Sequence, residues 1–165
     1  TSALENFEKL MAFTIALHDI GKSIAVRLGD KNQEEFFSVP IARVLLKRIG
    51  FPSKAIGLAT GLIEQHQLIG DTLKKVAALK TQKRESEINK TIQLAISKIS
   101  QQAKISGVSN SVFVKSLAIL FIADANSYDY LSKTFFHNKN GSGSMLVPND
   151  EDTYEKLLAP LYGKR

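Results

Sequence analysis

The sequence predicts an all-α bundle of about seven or eight helices. Three observations carry that prediction. Apolar residues recur at three- and four-residue spacing through most of the chain. Ser, Pro, Gly and Asn fall where helices start and stop. No stretch shows convincing period-two alternation, and there is no internal repeat. With 165 residues, 44% of them hydrophobic, the chain suits one domain, or one domain with a tail, and can bury a sizeable core.

The elements follow in order. Residues 3–17 read as a helix with Leu4, Phe7, Met11, Thr14 and Ile15 on one face. Ser2 is its expected N-cap, with Glu5 as the capping-box partner. His18 and Asp19 end or continue it, Gly21 loosens the backbone, and a short helical turn covers 24–28. Residues 29–32 are a turn by composition. Ser38 is the expected cap of the next helix, 39–49, with Pro40 in the first turn, a stripe of Ile41, Val44, Leu45 and Arg48, and Gly50 as the stop. Pro52 and Ser53 restart the chain into a helix over 53–66, whose apolar face is Ile56, Ala59, Leu62 and Ile63; Gly57 and Gly61 would let another helix approach closely.

Gly70 and Asp71 open a basic helix reaching about residue 83, and 87–104 form a longer one with Ile88, Ile92, Ala95, Ile96 and Ile99 as its stripe. Ser106 and Gly107 end it. Ser109 or Asn110 caps the most hydrophobic element, 111–131, the expected central helix, with Val114, Leu117, Ala118, Phe121, Ile122 and Ala125. Residues 133–149 form a polar Gly/Ser loop, and 151–161 a last short helix capped by Asn149 or Asp150. The domain reading is therefore a helical domain over 1–133, followed by the loop and C-terminal helix over 134–165.

Composition narrows the function classes. Cysteine is absent, so disulfides and thiolate metal sites are excluded, and any metal must be held by His and carboxylates. No run of about 18 uncharged apolar residues exists, so no membrane span is expected. The N-terminal stretch carries Glu5, Glu8 and Lys9 without a basic leader, so a signal peptide is not expected and the location is read as cytoplasmic. A net charge of +6 suits anionic ligands, nucleic acid among them, but it equally keeps a protein soluble. The Lys/Arg residues between Lys74 and Lys90 lack interleaved aromatics and read as a solvated helix face, so nucleic acid is not the favoured partner. The Gly/Ser loop has neither the Gly-Lys-Ser/Thr ending nor the preceding strand of a phosphate-binding loop.

The stretch least explained by folding is Leu17-His18-Asp19-Ile20-Gly21-Lys22. An imidazole nitrogen beside a carboxylate suits a divalent cation. Neighbouring helical residues point about 100° apart, so both reach one ion only at a helix end or bend, where Gly21 stands. The plainer alternative is a surface pair in which His favours the helix C-terminus. Asp124 follows seven apolar residues, Leu117 to Ala123, and a lone carboxylate there is expensive unless it is paired or bound to metal. A buried salt bridge is the alternative reading for Asp124.

These residues, together with Leu62-Ile63-Glu64-Gln65-His66 and Leu120-Phe121-Ile122-Ala123-Asp124, resemble the HD-domain superfamily of metal-dependent phosphohydrolases. The helix over 41–50 followed by Phe51-Pro52 is similar to the segment such domains place between their first two motifs, and the likeness runs over about residues 4–131. The resemblance implies that His18, Asp19 and Asp124 hold a divalent metal (Mn, Fe, Mg, Ni, Co or Zn). It implies that Asp19 also acts as base toward a bound water. His66 would bind a second metal, contact phosphate or protonate the leaving oxygen, and Lys22 would neutralise phosphate. For His66 and Lys22 the plainer readings are a helix-end histidine and an exposed lysine; His137 reads as incidental. The expected substrate is a nucleotide or related phosphate ester, as monoester or diester.

The family's further histidine lies upstream of its His-Asp pair, and no histidine precedes His18. The chain is accordingly expected either to be part of a longer one that carries the first helix or to have lost that ligand, and the sparse histidines favour one metal over two. The alternative function is a degenerate HD domain that senses a nucleotide or binds a protein without catalysis.

Overall fold

A computed structural model describes residues 3–30, 33–127, 135–138 and 146–162. The helices are α1 (Ala3–Leu17), α2 (Lys22–Arg27), α3 (Glu34–Ile49), α4 (Ser53–Glu64), α5 (Leu68–Thr81), α6 (Glu85–Ile105), α7 (Asn110–Ser127) and α8 (Glu151–Leu158), followed by a 3-10 turn, Ala159–Leu161. The fold is an all-α bundle. The described residues add to it a ribbon of two short antiparallel strands, β1 (Phe136–Asn138) and β2 (Leu146–Pro148), with Phe136 opposite Pro148. Three-residue strands are too short for alternation to register in a sequence.

Two helices make the centre. α7 buries Phe113, Val114, Leu117, Ala118, Leu120, Phe121 and Ala125, which includes most of the stripe read from its periodicity. α4 shares the centre, with every residue from Leu58 to Ile63 buried. Its glycines work as expected. Gly57 lies against Ser106, and a Cβ on Gly61 would run into the Ser106 hydroxyl and the Gln102 side chain, so α6 packs directly on the α4 backbone. A smaller cluster of Val76, Leu79, Ile88 and Ile92 joins α5 to α6.

Several boundaries differ from the expectation. Ser38 is not a cap. α3 begins four residues earlier, with Glu34 and Glu35 in the first turn where the helix dipole favours acids. The buried stripe is Glu34, Ser38, Ala42 and Leu46, at four-residue spacing, while Val44 from the predicted stripe is about half exposed. Pro40 lies inside the helix rather than in its first turn. Gly50 does stop α3: it takes φ 96°, Phe51 N–H donates to Leu46 O at 3.1 Å and Gly50 N–H to Lys47 O at 3.1 Å, the paired bonds of a left-handed cap.

α4 ends at Glu64, so His66 sits in the turn that follows it, and α5 starts at Leu68 with Gly70 inside the helix. Ser109 caps α7 by accepting from Val112 N–H at 3.3 Å. Asp150 caps α8 by accepting from Thr153 N–H at 3.2 Å. α7 runs to Ser127; the predicted continuation to 131 and the Gly/Ser loop over 139–145 lie outside the described residues, as does the side chain of His137.

The C-terminal segment packs into the same core. Leu157, Leu158 and Leu161 are buried in one cluster with Leu46, Leu62, Phe113 and Leu117, and Phe135 and Phe136 belong to it too. Among the described residues, no single helix is long and apolar enough to cross a membrane.

Candidate metal centre

The end of α1 sets the first ligands. The chain turns directly after Leu17, with Ile20 N–H donating to Leu17 O at 3.2 Å and Lys22 N–H to Asp19 O at 2.9 Å. That turn brings His18 and Asp19 to the same side although they are adjacent in sequence. Gly21 has φ −83°, so it does not supply an unusual bend. Its role is close approach. A Cβ there would stand 2.5 Å from Ser38 N and 2.7 Å from Glu34 O, and its own N–H donates to Ser38 Oγ at 2.9 Å. The His-Asp turn is thereby pinned to the first turn of α3, next to Glu34.

Two histidines are held in the same way. His18 Nδ1 lies 2.7 Å from Ile15 O, and His66 Nδ1 lies 2.8 Å from Ile63 O. A carbonyl only accepts, so each Nδ1 carries the hydrogen, and in a neutral ring Nε2 is left with its lone pair. Such anchoring fixes tautomer and orientation in metal-ligating histidines. The two rings stand 5.2 Å apart at 72°.

Carboxylates meet both Nε2 atoms, and the His18–Asp124 contact is a hydrogen bond when His18 Nε2 carries a proton. His18 Nε2 is 3.1 Å from Asp124 Oδ1 and 3.5 Å from Asp19 Oδ1. His66 Nε2 is 3.5 Å from Glu34 Oε1 and 3.8 Å from Asp19 Oδ1. Asp19 Oδ1 therefore stands between the two imidazoles. Its other oxygen accepts from Lys22 Nζ at 2.9 Å, and Lys22 Nζ lies 3.9 Å from Glu34 Oε2. Gln67 Nε2 donates to Glu34 Oε1. His66 and Glu34 are buried; His18, Asp19 and Asp124 are partly buried.

Burial works against a charged His18, but the hydrogen bond to Asp124, the Ile15 carbonyl and the charges of Asp19 and Asp124 outweigh it and hold its pKa above the ordinary 6.5. The His18 hydrogen bond, helped by the charges of His18, His66 and Lys22, holds Asp124 below the ordinary 3.8 against the effect of burial.

The cluster can hold a metal ion. His18, Asp19 and His66 each offer one donor atom, all within 4.8 Å of one another, and Glu34, Glu35 and His66 form a second such group. Two donors each about 2.1 Å from one ion stand about 3.0–3.4 Å apart, close to the 3.1, 3.5 and 3.8 Å separations linking Asp124, His18, Asp19 and His66. Charge agrees: with neutral imidazoles the carboxylates of Asp19, Glu34, Glu35 and Asp124 outweigh Lys22, so the cluster favours a cation.

The structure thus brings all five sequence-predicted residues, His18, Asp19, Lys22, His66 and Asp124, to one place. Asp124 joins through His18 and lies outside both groups of mutually close donors. Sequence reasoning missed Glu34 and Gln67. The Glu34-Glu35 pair at a helix start was the available signal, masked by the cap-like Ser38 and Pro40. A cleft of about 440 Å³ opens beside the cluster, with Asp19, Lys22, Glu34, His66 and Asp124 in its wall. Comparison of the chain with protein-family models, with curated proteins and with solved structures finds no match.

Proposed function

We propose that this chain is a metal-dependent phosphohydrolase of HD type, acting on a nucleotide or related phosphate ester. The observation that carries the reading is the convergence of two Nδ1-anchored imidazoles on Asp19 at the wall of an open cleft, with Asp124 and Glu34 alongside. His18, Asp19 and His66 hold the ion, and Asp124 stands beside His18, where a small shift would add it as a fourth donor. The mixed nitrogen and oxygen donors suit Mn, Fe, Co, Ni or Zn better than Mg. Bound there, the metal supplies a water of lowered pKa and polarises a phosphoryl oxygen.

The protein's own groups do the rest. Asp19, fixed on one side by Lys22, orients the attacking water and takes its proton. Lys22, about half exposed at the cleft, draws a phosphate oxygen toward the cluster. Ile63 O holds the buried His66 ring through Nδ1, and Gln67 holds Glu34 beside its Nε2. In this arrangement His66 serves as a metal donor rather than as the acid for the leaving oxygen.

A second reading has one observation in its favour. Lys22 on Asp19 and Gln67 on Glu34 pair two of the carboxylates through the protein's own donors, as a nucleotide-sensing or protein-binding module without catalysis would need. Metal analysis and turnover decide between them. The hydrolase reading expects about one Mn, Fe, Co, Ni or Zn per chain and hydrolysis of p-nitrophenyl phosphate or its diester, falling roughly 10²–10⁴-fold in Asp19→Ala. A chain that takes up no added metal, turns over neither ester and is indifferent to Asp19→Ala is the sensing module.

A further inference from the structure

The cleft has a second half that phosphoryl chemistry does not need. One face of α5 runs along it: Gln67, Gly70, Asp71 and Lys74 all line the wall, at three- and four-residue spacing over about 10 Å of helix. Gln67 marks the inner end through its bond to Glu34. Toward the outer end the character changes.

Gly70 has no side chain, and two aromatic rings fill the place where one would be. A Cβ there would stand 3.3 Å from Phe121 Cε2 and 3.4 Å from Phe135 Cζ. The rings pack edge to face, their centroids 5.3 Å apart. Both are almost wholly buried, so they form a fixed floor rather than loose side chains. Above that floor Lys74 Nζ stands 5.5 Å from the centre of the Phe135 ring. Lys74 and Asp71 are exposed and of opposite sign, so the outer half carries no net charge with which to hold a second phosphate. What it offers is an apolar wall of two ring surfaces, a cation on a flexible stem and one carboxylate.

We propose that the outer half is a ring-binding subsite, which takes the flat heteroaromatic group of a phosphate ester between the Gly70–Phe121–Phe135 floor and Lys74. The proposal rests on the hydrolase reading only for what the inner half does with the phosphate. Lys74 exchanges the Phe135 face for the face of the ligand ring, an interaction of the same kind with a more accessible partner. Asp71, one turn before Lys74, accepts from an N–H on the ring's edge, such as an exocyclic amine, and so favours rings that carry a donor there. Phe135 and Lys74 are specificity residues here, not catalytic ones.

The test is binding to the metal-supplemented full chain by calorimetry, with adenosine monophosphate and ribose 5-phosphate as probes. They share the sugar phosphate and differ only in the ring. The expected result is roughly tenfold tighter binding of the nucleotide, the scale of one base on an aromatic surface. That ratio falls several-fold in Lys74→Ala, is kept in Lys74→Arg, and falls in Phe135→Leu, with circular dichroism confirming that each variant is folded. Equal affinity of the two probes in the unaltered protein overturns the subsite; metal uptake and ester hydrolysis in that same protein would leave the hydrolase reading standing. A tenfold, Lys74-dependent ratio in a chain that binds no metal and cleaves no ester upholds the subsite and overturns the hydrolase reading instead.

Discussion

At the scale of single residues, the informative fact is that His18 and Asp124 answer each other across the fold. Their coupling has a pH signature. His18 has a folded pKa above 6.5, so its contribution to the metal-free fold is fully present below 6.5 and is lost as pH rises through the folded value. Asp124 has a folded pKa below 3.8, so its contribution is present above 3.8 and is lost as pH falls through its folded value. Chelator-treated protein should therefore draw most from this pair between about pH 4 and 6.5, and less once pH has risen through the folded His18 value. Metal acts in the opposite direction, because a ligating imidazole must shed its proton, so the stabilisation by added Mn should grow from pH 6 to pH 8. Urea titrations with and without metal measure both trends, and Asp124→Asn should flatten the first. Asp124 was legible in the sequence because a carboxylate after seven apolar residues has few structural uses. Glu34 was not, because an acid beside a polar turn resembles any solvated surface residue until the fold buries it.

At the scale of elements, the site depends on one close approach. α2 and α3 meet where Gly21 lies on the backbone of residues 34–38, and that contact carries Glu34 to the His-Asp turn. Gly21→Ala places a methyl 2.5 Å from Ser38 N, mostly against backbone that cannot move aside cheaply. We expect a loss of about 1–3 kcal/mol of stability, together with weaker metal binding as Glu34 is displaced. Ser38→Ala leaves the buried Gly21 N–H without its acceptor and should cost about 1–3 kcal/mol by the separate route of an unsatisfied donor. Thermal melts of both variants, with and without metal, check this. If Gly21→Ala melts as the unaltered chain does, Gly21 is not what joins the two elements. The sequence showed that a glycine mattered after His-Asp, but assigned it a bend. Steric contact with a helix seventeen positions away in the chain is a tertiary fact, and the Ser-x-Pro pattern of residues 38–40 concealed where that helix begins. Elements with long stripes, such as α6 and α7, were legible because helical periodicity is a local property.

At the scale of the whole molecule, the question is whether the C-terminal segment is an appendage or part of the bundle. Composition separates it, because a polar Gly/Ser stretch stands between it and the helices before it. Packing joins it. Leu157 is fully buried and Leu158 nearly so, in the cluster that holds α4 and α7 together. Asp150 both caps α8 and accepts from Lys80 Nζ at 2.8 Å, tying it to α5. The same cluster includes Phe135, the floor of the outer cleft. Burial of α8 and the shape of the cleft are therefore linked through shared neighbours, and damage to one should be felt at the other. Leu157→Ala removes a side chain with no exposed surface and should cost about 2–5 kcal/mol. Unfolding followed by far-ultraviolet circular dichroism should remain a single transition with a lowered midpoint, since α8 is buried in the same cluster as α4 and α7 and melts with them. Binding of adenosine monophosphate should weaken more than binding of ribose 5-phosphate, because the floor beneath the ring loosens while the metal cluster, built from the turn after α1, α3, the turn after α4 and α7, keeps its own supports. An appendage would behave otherwise: Leu157→Ala would leave the midpoint where it was and weaken neither ligand.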